Sequence, residues 1–273
     1  MTHKREPIQK APTDSPTLML LLAMLYLGLL AALLFLPEQP LLERLRWLDS
    51  GICAQQPGHT LHPGGIALPL CARDTGIYLG LLLTVCALLV TGRGKAQQIP
   101  PLPLALVLAG GFCLMATDGL NSLAVDLRLP HLYPPHNLLR LATGLLAGLA
   151  IGSFLLPVLN QMLWSTYHRS ASIPSWRFLF GLLPLLILAF FAAASQHPLT
   201  LYPLALLSTA GLLTALGSLN LLLLVLVRKR SETFVRYKEL LPYAGIACLL
   251  SIGEMLLLAQ GRFWLLQTLG LPL

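Results

Sequence analysis

Long apolar runs recur down this chain and leave it one way to fold. They are Leu18–Leu36, Thr75–Thr91, Pro103–Asn121, Leu138–Asn160, Arg177–Ser195, Tyr202–Val227 and Leu240–Ala259. Each approaches the roughly 20 residues that a helix needs to cross a bilayer. Hydrocarbon offers no partner for a backbone amide or carbonyl, so each run must close its own hydrogen bonds as a helix. Only 11% of the 273 residues are charged, against about 25% in a soluble domain. The sequence therefore predicts an all-α polytopic membrane helix bundle with seven transmembrane helices. Leu18–Leu36 reads as a retained span: it exceeds the roughly 7–15 apolar residues of a signal peptide, and Leu36-Pro37-Glu38 is no small-residue cleavage site.

A net charge of +7 would suit nucleic acid, but its distribution points to a membrane. With seven spans and the N-terminus inside, Arg44, Arg46, Arg73, Arg128, Arg140 and Arg262 fall outside, and the other twelve of the 18 Lys and Arg fall inside. That asymmetry predicts an N-in, C-out topology in the cell membrane. Membrane lipids are the expected partners, and nucleic acid is not. The chain divides into a cytoplasmic tail, 1–17, and a single transmembrane domain, 18–273, with an external loop over 37–74. Within that loop Leu41, Leu42, Leu45 and Leu48 share one helical face, as in a short helix lying in the interface. Gly144, Gly148 and Gly152 recur every four residues, a ridge for close helix approach, and Gly76 and Gly80 repeat the pattern.

Two polar islands break the apolar text. One runs from Cys53 through His59 and His62 to Cys71, Arg73, Asp74 and Tyr78. The other runs from Asp118 and Asn121 through Asp126 and Arg128 to Asn137 and Arg140. Ionisable groups are expensive near hydrocarbon, so their gathering at one membrane face outlines a site. Asp118 and Arg140, with Asp74, are the candidate catalytic groups. Arg73, Tyr78, Asn121, Arg128, Asn137 and Glu254 are the candidate ligand-binding groups. Helical spacing puts Asp74 with Tyr78, Asp118 with Asn121, and Asn137 with Arg140 on common faces. Glu254 lies inside the last run and needs a partner, for which Arg73 or Arg140 would serve. Bland alternatives stand beside these. Cys53 and Cys71 suit a disulfide in an oxidising compartment as well as a metal, and Arg140 can pair with Asp118 merely to hold two helices together.

The segments Cys53-Ala54-Gln55-Gln56-Pro57, Cys71-Ala72-Arg73-Asp74-Thr75-Gly76, Asp118-Gly119-Leu120-Asn121 and Asn137-x-x-Arg140-x-x-Thr143-Gly144 resemble a prokaryotic family of predicted membrane proteins, domain of unknown function 2085. The resemblance covers Cys53 to about Gly152. The family pattern carries three Cys and a His in its first motifs; here Ala54 replaces the His and Asp74 the last Cys. The resemblance thus leaves two outcomes: a rebuilt metal set drawn from Cys53, His59, His62, Cys71 and Asp74, which zinc accepts chemically, or a bare Cys53–Cys71 disulfide. A divalent metal is the only cofactor implied. The sequence points first to binding or processing of an anionic lipid or phosphorylated headgroup at the outer face. A small-solute or ion transporter and a non-catalytic membrane scaffold are the alternatives, and whether the chain is an enzyme stays open.

Overall fold

The computed structural model describes residues 40–270, so the expected first span, Leu18–Leu36, lies outside the described residues. Seven α-helices follow in order: α1 Leu41–Asp49, α2 Ala72–Val90, α3 Leu102–Asp126, α4 Asn137–Leu163, α5 Trp176–Ala194, α6 Leu201–Val227 and α7 Tyr237–Leu269. All but α1 are long and apolar enough to cross a membrane. The chain forms a polytopic helical bundle. Among the described residues, pairing between extended segments is limited to isolated bridges such as Thr60 with Cys71.

Two helices outrun the apolar runs that predicted them. α3 continues past Asn121 to Asp126 because Asp118 and Asn121 find partners and need not end the helix. It stops where Arg128 turns left-handed (φ 57°), with Arg128 N–H bonded to Val125 O and Leu129 N–H to Ala124 O. That is a Schellman stop, usually built on glycine. α7 continues ten residues past the predicted run, to Leu269, and ends on Gly270 at φ 64°, so Phe263 and Trp264 also lie on the helix.

α2 is the axis of the bundle. A methyl group on Gly76, Gly80, Gly144 or Gly148 would collide with the facing backbone, for example at 2.5 Å from Leu141 O for Gly76 and 2.6 Å from Leu145 O for Gly80. The expected glycine ridges of α2 and α4 therefore do meet, backbone against backbone. α6 approaches α2 as closely, with Gly211 pressed on the Tyr78 carbonyl. α7 packs on α6, where Asn220 Nδ2 donates to Ser251 Oγ (2.9 Å) and Glu254 Oε2 (2.9 Å). α1 lies across the ends of α6 and α7 and buries Leu42, Leu45 and Leu48 as its apolar face predicts. Arg262 of α7 locks it there by donating to Ser50 O, Cys53 O and Ala54 O at 2.9–3.2 Å.

At the opposite end of the bundle, Asn160 Nδ2 donates to Gly94 O and Ala96 O (3.0 and 2.7 Å) and Gln161 Nε2 to Gln97 O (2.6 Å). These two α4 side chains tie down the α2–α3 loop.

Candidate functional site

α2 begins at the end of the bundle where α3 finishes and α4 starts, and its first turn carries Arg73 and Asp74 side by side. Successive helical residues point about 100° apart, so the two side chains enter different surroundings. Arg73 turns toward α3. Its Nη2 donates to Asp118 Oδ2 at 2.6 Å, to the Asp118 carbonyl at 3.2 Å and to Ser122 Oγ at 2.9 Å. Asp118 is 1% exposed, and its second oxygen accepts from the Tyr133 hydroxyl at 3.0 Å.

Arg140 approaches the Ser122 hydroxyl from α4. Its Nε donates to Ser122 Oγ (3.3 Å) and its Nη1 to Asn137 Oδ1 (2.7 Å). Ser122 thus bridges the two guanidiniums. Arg73 Nε is buried without a partner among the described residues. Asn121 clamps the loop after α3: its Oδ1 accepts from Leu132 N–H (2.7 Å) and its Nδ2 donates to Tyr133 O (2.9 Å). Asn137 reaches the first loop, donating to Gly58 O and Thr60 O (3.1 and 3.3 Å). Beside it, His59 Nε2 lies 3.4 Å from Asp126 Oδ1. Burial and the nearby Arg140 charge hold the His59 imidazole below its ordinary pKa, with Asp126 opposing them. Burial first, then the bond to Asp118, push the Tyr133 phenol up.

Asp74 turns the other way. Its carboxylate, Cys53 Sγ and Cys71 Sγ all lie within 4.8 Å of one another. Cys71 N–H donates to Cys53 Sγ at 3.3 Å, and both cysteines are free thiols. The neighbouring Cys71 thiol and burial raise the Cys53 thiol pKa. Tyr78, one turn on from Asp74, packs against the apolar group that holds Cys53, Leu48, Leu70, Leu212 and Met255. At the end of α1, Asp49 is fully buried. Its Oδ2 accepts from Thr209 Oγ1 at 2.7 Å, while Oδ1 has no partner among the described residues. Burial pushes the Asp49 carboxyl up to about 7, against the Thr209 hydrogen bond.

The residues expected in one pocket thus fall into two adjoining groups. Arg73, Asp118, Asn121, Asn137 and Arg140 assemble as the helical spacing suggested. Cys53, Cys71, Asp74 and Tyr78 assemble separately. His59 joins the arginine group rather than the thiols. His62 reaches neither: its backbone N–H faces Gln196 Oε1 at 3.4 Å, on the loop before α6. A metal set containing either histidine therefore does not form. Arg128 is exposed and serves as the α3 stop. Glu254 sits between α6 and α7 with Asn220 as its partner, so neither Arg73 nor Arg140 meets it. Ser122, Tyr133 and Thr209, and the pairing of Asp49 with Thr209, are not indicated by the sequence. Ser122 alone has a positional hint, one helical turn after Asp118.

Residues 53–154 match the model of a family described as predicted membrane protein, domain of unknown function 2085. The match runs from the Cys53 loop through α2 and α3 into α4 and so holds both groups. No curated protein and no solved structure matches the chain. Family description and apolar helices agree that this is a multi-pass membrane protein.

Proposed function

We propose that this multi-pass membrane protein binds an anionic group between the start of α2 and the start of α4. The group is a phosphate or carboxylate, carried by a membrane lipid or by a soluble phosphorylated ligand. One observation carries the reading. Arg140 is 4% exposed, yet no ion pair among the described residues includes it. A guanidinium keeps its proton in a protein, and a buried charge without a counter-charge costs several kcal/mol. Arg73 takes the one buried carboxylate of the group, Asp118, and the other acid nearby, Asp126, lies at the exposed rim beside His59. Both arginines also stand in the first turn of a helix, where the dipole is itself positive. Arg73 Nε, without a partner among the described residues, adds an open donor. An anion answers all of these at once, and the guanidinium fork matches carboxylate and phosphate oxygens.

The excess of Lys and Arg at the opposite end of the bundle supports an extracytoplasmic position for this site. Transport through Asp118 and Glu254 gains no support. Asp118 lies between α2 and α3 and Glu254 between α6 and α7, and α3 and α4 run unbroken through Gly110-Gly111 and Pro157.

Native mass spectrometry of the full chain in detergent tests the proposal, with phosphatidylglycerol, phosphatidylcholine and glycerol 3-phosphate as probes. Phosphatidylglycerol should be retained over phosphatidylcholine, and Arg140→Gln should weaken that retention by about 30-fold or more, the cost of removing one partner of a buried charged contact. Retention of glycerol 3-phosphate alone would assign the site to a soluble phosphate. Equal retention of both lipids, unmoved by Arg140→Gln and with no glycerol 3-phosphate bound, would overturn it.

A further inference from the structure

On the other side of α2, the structure assigns a second site, independent of the anion pocket: a three-ligand centre for a divalent transition metal of the zinc type, formed by Cys53 Sγ, Cys71 Sγ and a carboxylate oxygen of Asp74. The three donor atoms lie within 4.8 Å of one another. Zinc–sulfur and zinc–oxygen bonds of about 2.3 and 2.0–2.2 Å give tetrahedral edges of roughly 3.3–3.8 Å. A contraction of about an ångström or less therefore brings the set into coordination. Two soft thiolates with one harder oxygen favour zinc or cobalt over magnesium or calcium, which take all-oxygen shells.

The chain holds these donors from three directions. Cys53 follows α1, with its N–H bonded to Asp49 O at 3.0 Å and its carbonyl held by Arg262 at 3.2 Å. Cys71 is the N-cap of α2 and pairs in a bridge with Thr60. Asp74 is in the first turn of α2, three residues on, and so shares a face with Cys71. The loop between the cysteines is pinned by Gln55 Nε2, which donates to Arg46 O and Pro69 O, both at 2.6 Å. Cys71 and Asp74 both stand at the positive end of α2, a place that suits anionic ligands. Three protein donors leave a fourth position for water or a ligand, as catalytic zinc sites do and closed structural sites do not. Nearby, Asp49 contributes a buried oxygen, Oδ1, with no donor among the described residues.

A Cys53–Cys71 disulfide is the rival arrangement, and Asp74 separates the two. A disulfide needs both sulfurs and is indifferent to Asp74, whereas the metal needs all three groups. The test uses the full chain in detergent, reduced and freed of metal with a chelator, then titrated with cobalt(II) while thiolate-to-cobalt absorption is followed. One equivalent should bind with that absorption, Cys53→Ser should abolish the absorption, and Asp74→Asn should weaken binding at least about 10-fold. Arg140→Gln should leave the titration unchanged, which keeps this result separate from the anion site. Failure of the reduced protein to give the absorption would overturn the proposal. So would an unchanged cobalt affinity in Asp74→Asn. Should Asp74→Asn fail to fold, the stoichiometry and absorption of the unmodified chain decide alone.

Discussion

The two flanks of the first turn of α2 differ in sign. Toward α3 and α4, Arg73 and Arg140 stand near a single buried carboxylate, Asp118, while Asp126 sits at the exposed rim against His59, so the buried part of that flank is short of negative charge. Toward α1 and α6, Cys53, Cys71, Asp74 and Asp49 gather, and Arg262, which bonds to this flank, spends its donors on the carbonyls of Ser50, Cys53 and Ala54. Residues 73 and 74 are neighbours in the chain, yet each supplies the flank that lacks its opposite. The lesson concerns the helix rather than the residues. Because α2 is packed on both sides through glycine, its end can be a wall between two polar chambers, each buried enough for charge to matter.

That wall depends on backbone contact between α2 and α4, and breaking it has the largest expected effect. A side chain at position 148 would meet Leu81 N at 2.6 Å and the Ile77 carbonyl closer still. Backbone cannot step aside as a flexible side chain can, so overpacking here should exceed the usual ~1–3 kcal/mol. Gly148→Val is therefore expected to abolish the monodisperse fold in size-exclusion chromatography and to remove cobalt and anion binding together. A variant that kept its fold and lost only one activity would show the flanks to be independent of the α2–α4 seam.

Asp118→Ala should come next and act on one flank alone. It leaves the half-buried Arg73 without its carboxylate partner beside the buried Arg140, a change that costs up to about 3–5 kcal/mol. A marked fall in thermal midpoint is expected, with cobalt affinity in the surviving folded protein unchanged. A bound anionic lipid should restore part of the lost stability, since it would supply the missing charge. Loss of cobalt binding in that folded protein would merge the two chambers into one.

Much of this was legible in the chain. The glycine spacing of α2 and α4 was readable because close backbone approach has few other solutions. The meeting of Arg73, Asp118 and Arg140 followed from their places at helix ends on one side of the membrane. The division between Arg73 and Asp74 was not readable. Helical geometry says that the two side chains diverge, but only tertiary order says that α3 and α4 lie on one side and α1 and α6 on the other. Asp49 with Thr209, far apart in sequence, and Tyr133, in a proline-rich loop, depend on that same order. His59 and His62 show it most sharply. They lie three residues apart in an irregular loop, yet the His59 imidazole meets Asp126 whereas at His62 the backbone N–H meets Gln196, and neither destination is encoded by spacing.

The smallest expected effect is a pH dependence confined to the arginine flank. His59 faces Asp126 directly, with Arg140 and Arg73 acting at longer range. Burial and the arginine charges hold its folded pKa below the ordinary imidazole value of 6.5, against the pull of Asp126. A depressed histidine pKa means that the folded state binds fewer protons than the unfolded state in this range. Its contribution to stability is therefore lost as pH falls from the ordinary value through the folded one. An anion beside Arg140 reverses part of that loss, because it favours the imidazolium. Affinity for phosphatidylglycerol should thus rise modestly as pH falls below the ordinary imidazole value and through the lower folded one, while in His59→Gln it stays flat across the same window. Cobalt binding has its own pH dependence, since thiolates must lose protons to ligate, and that dependence should be the same in both proteins. A His59→Gln change that altered the cobalt profile and left the lipid profile alone would assign this histidine to the thiol flank.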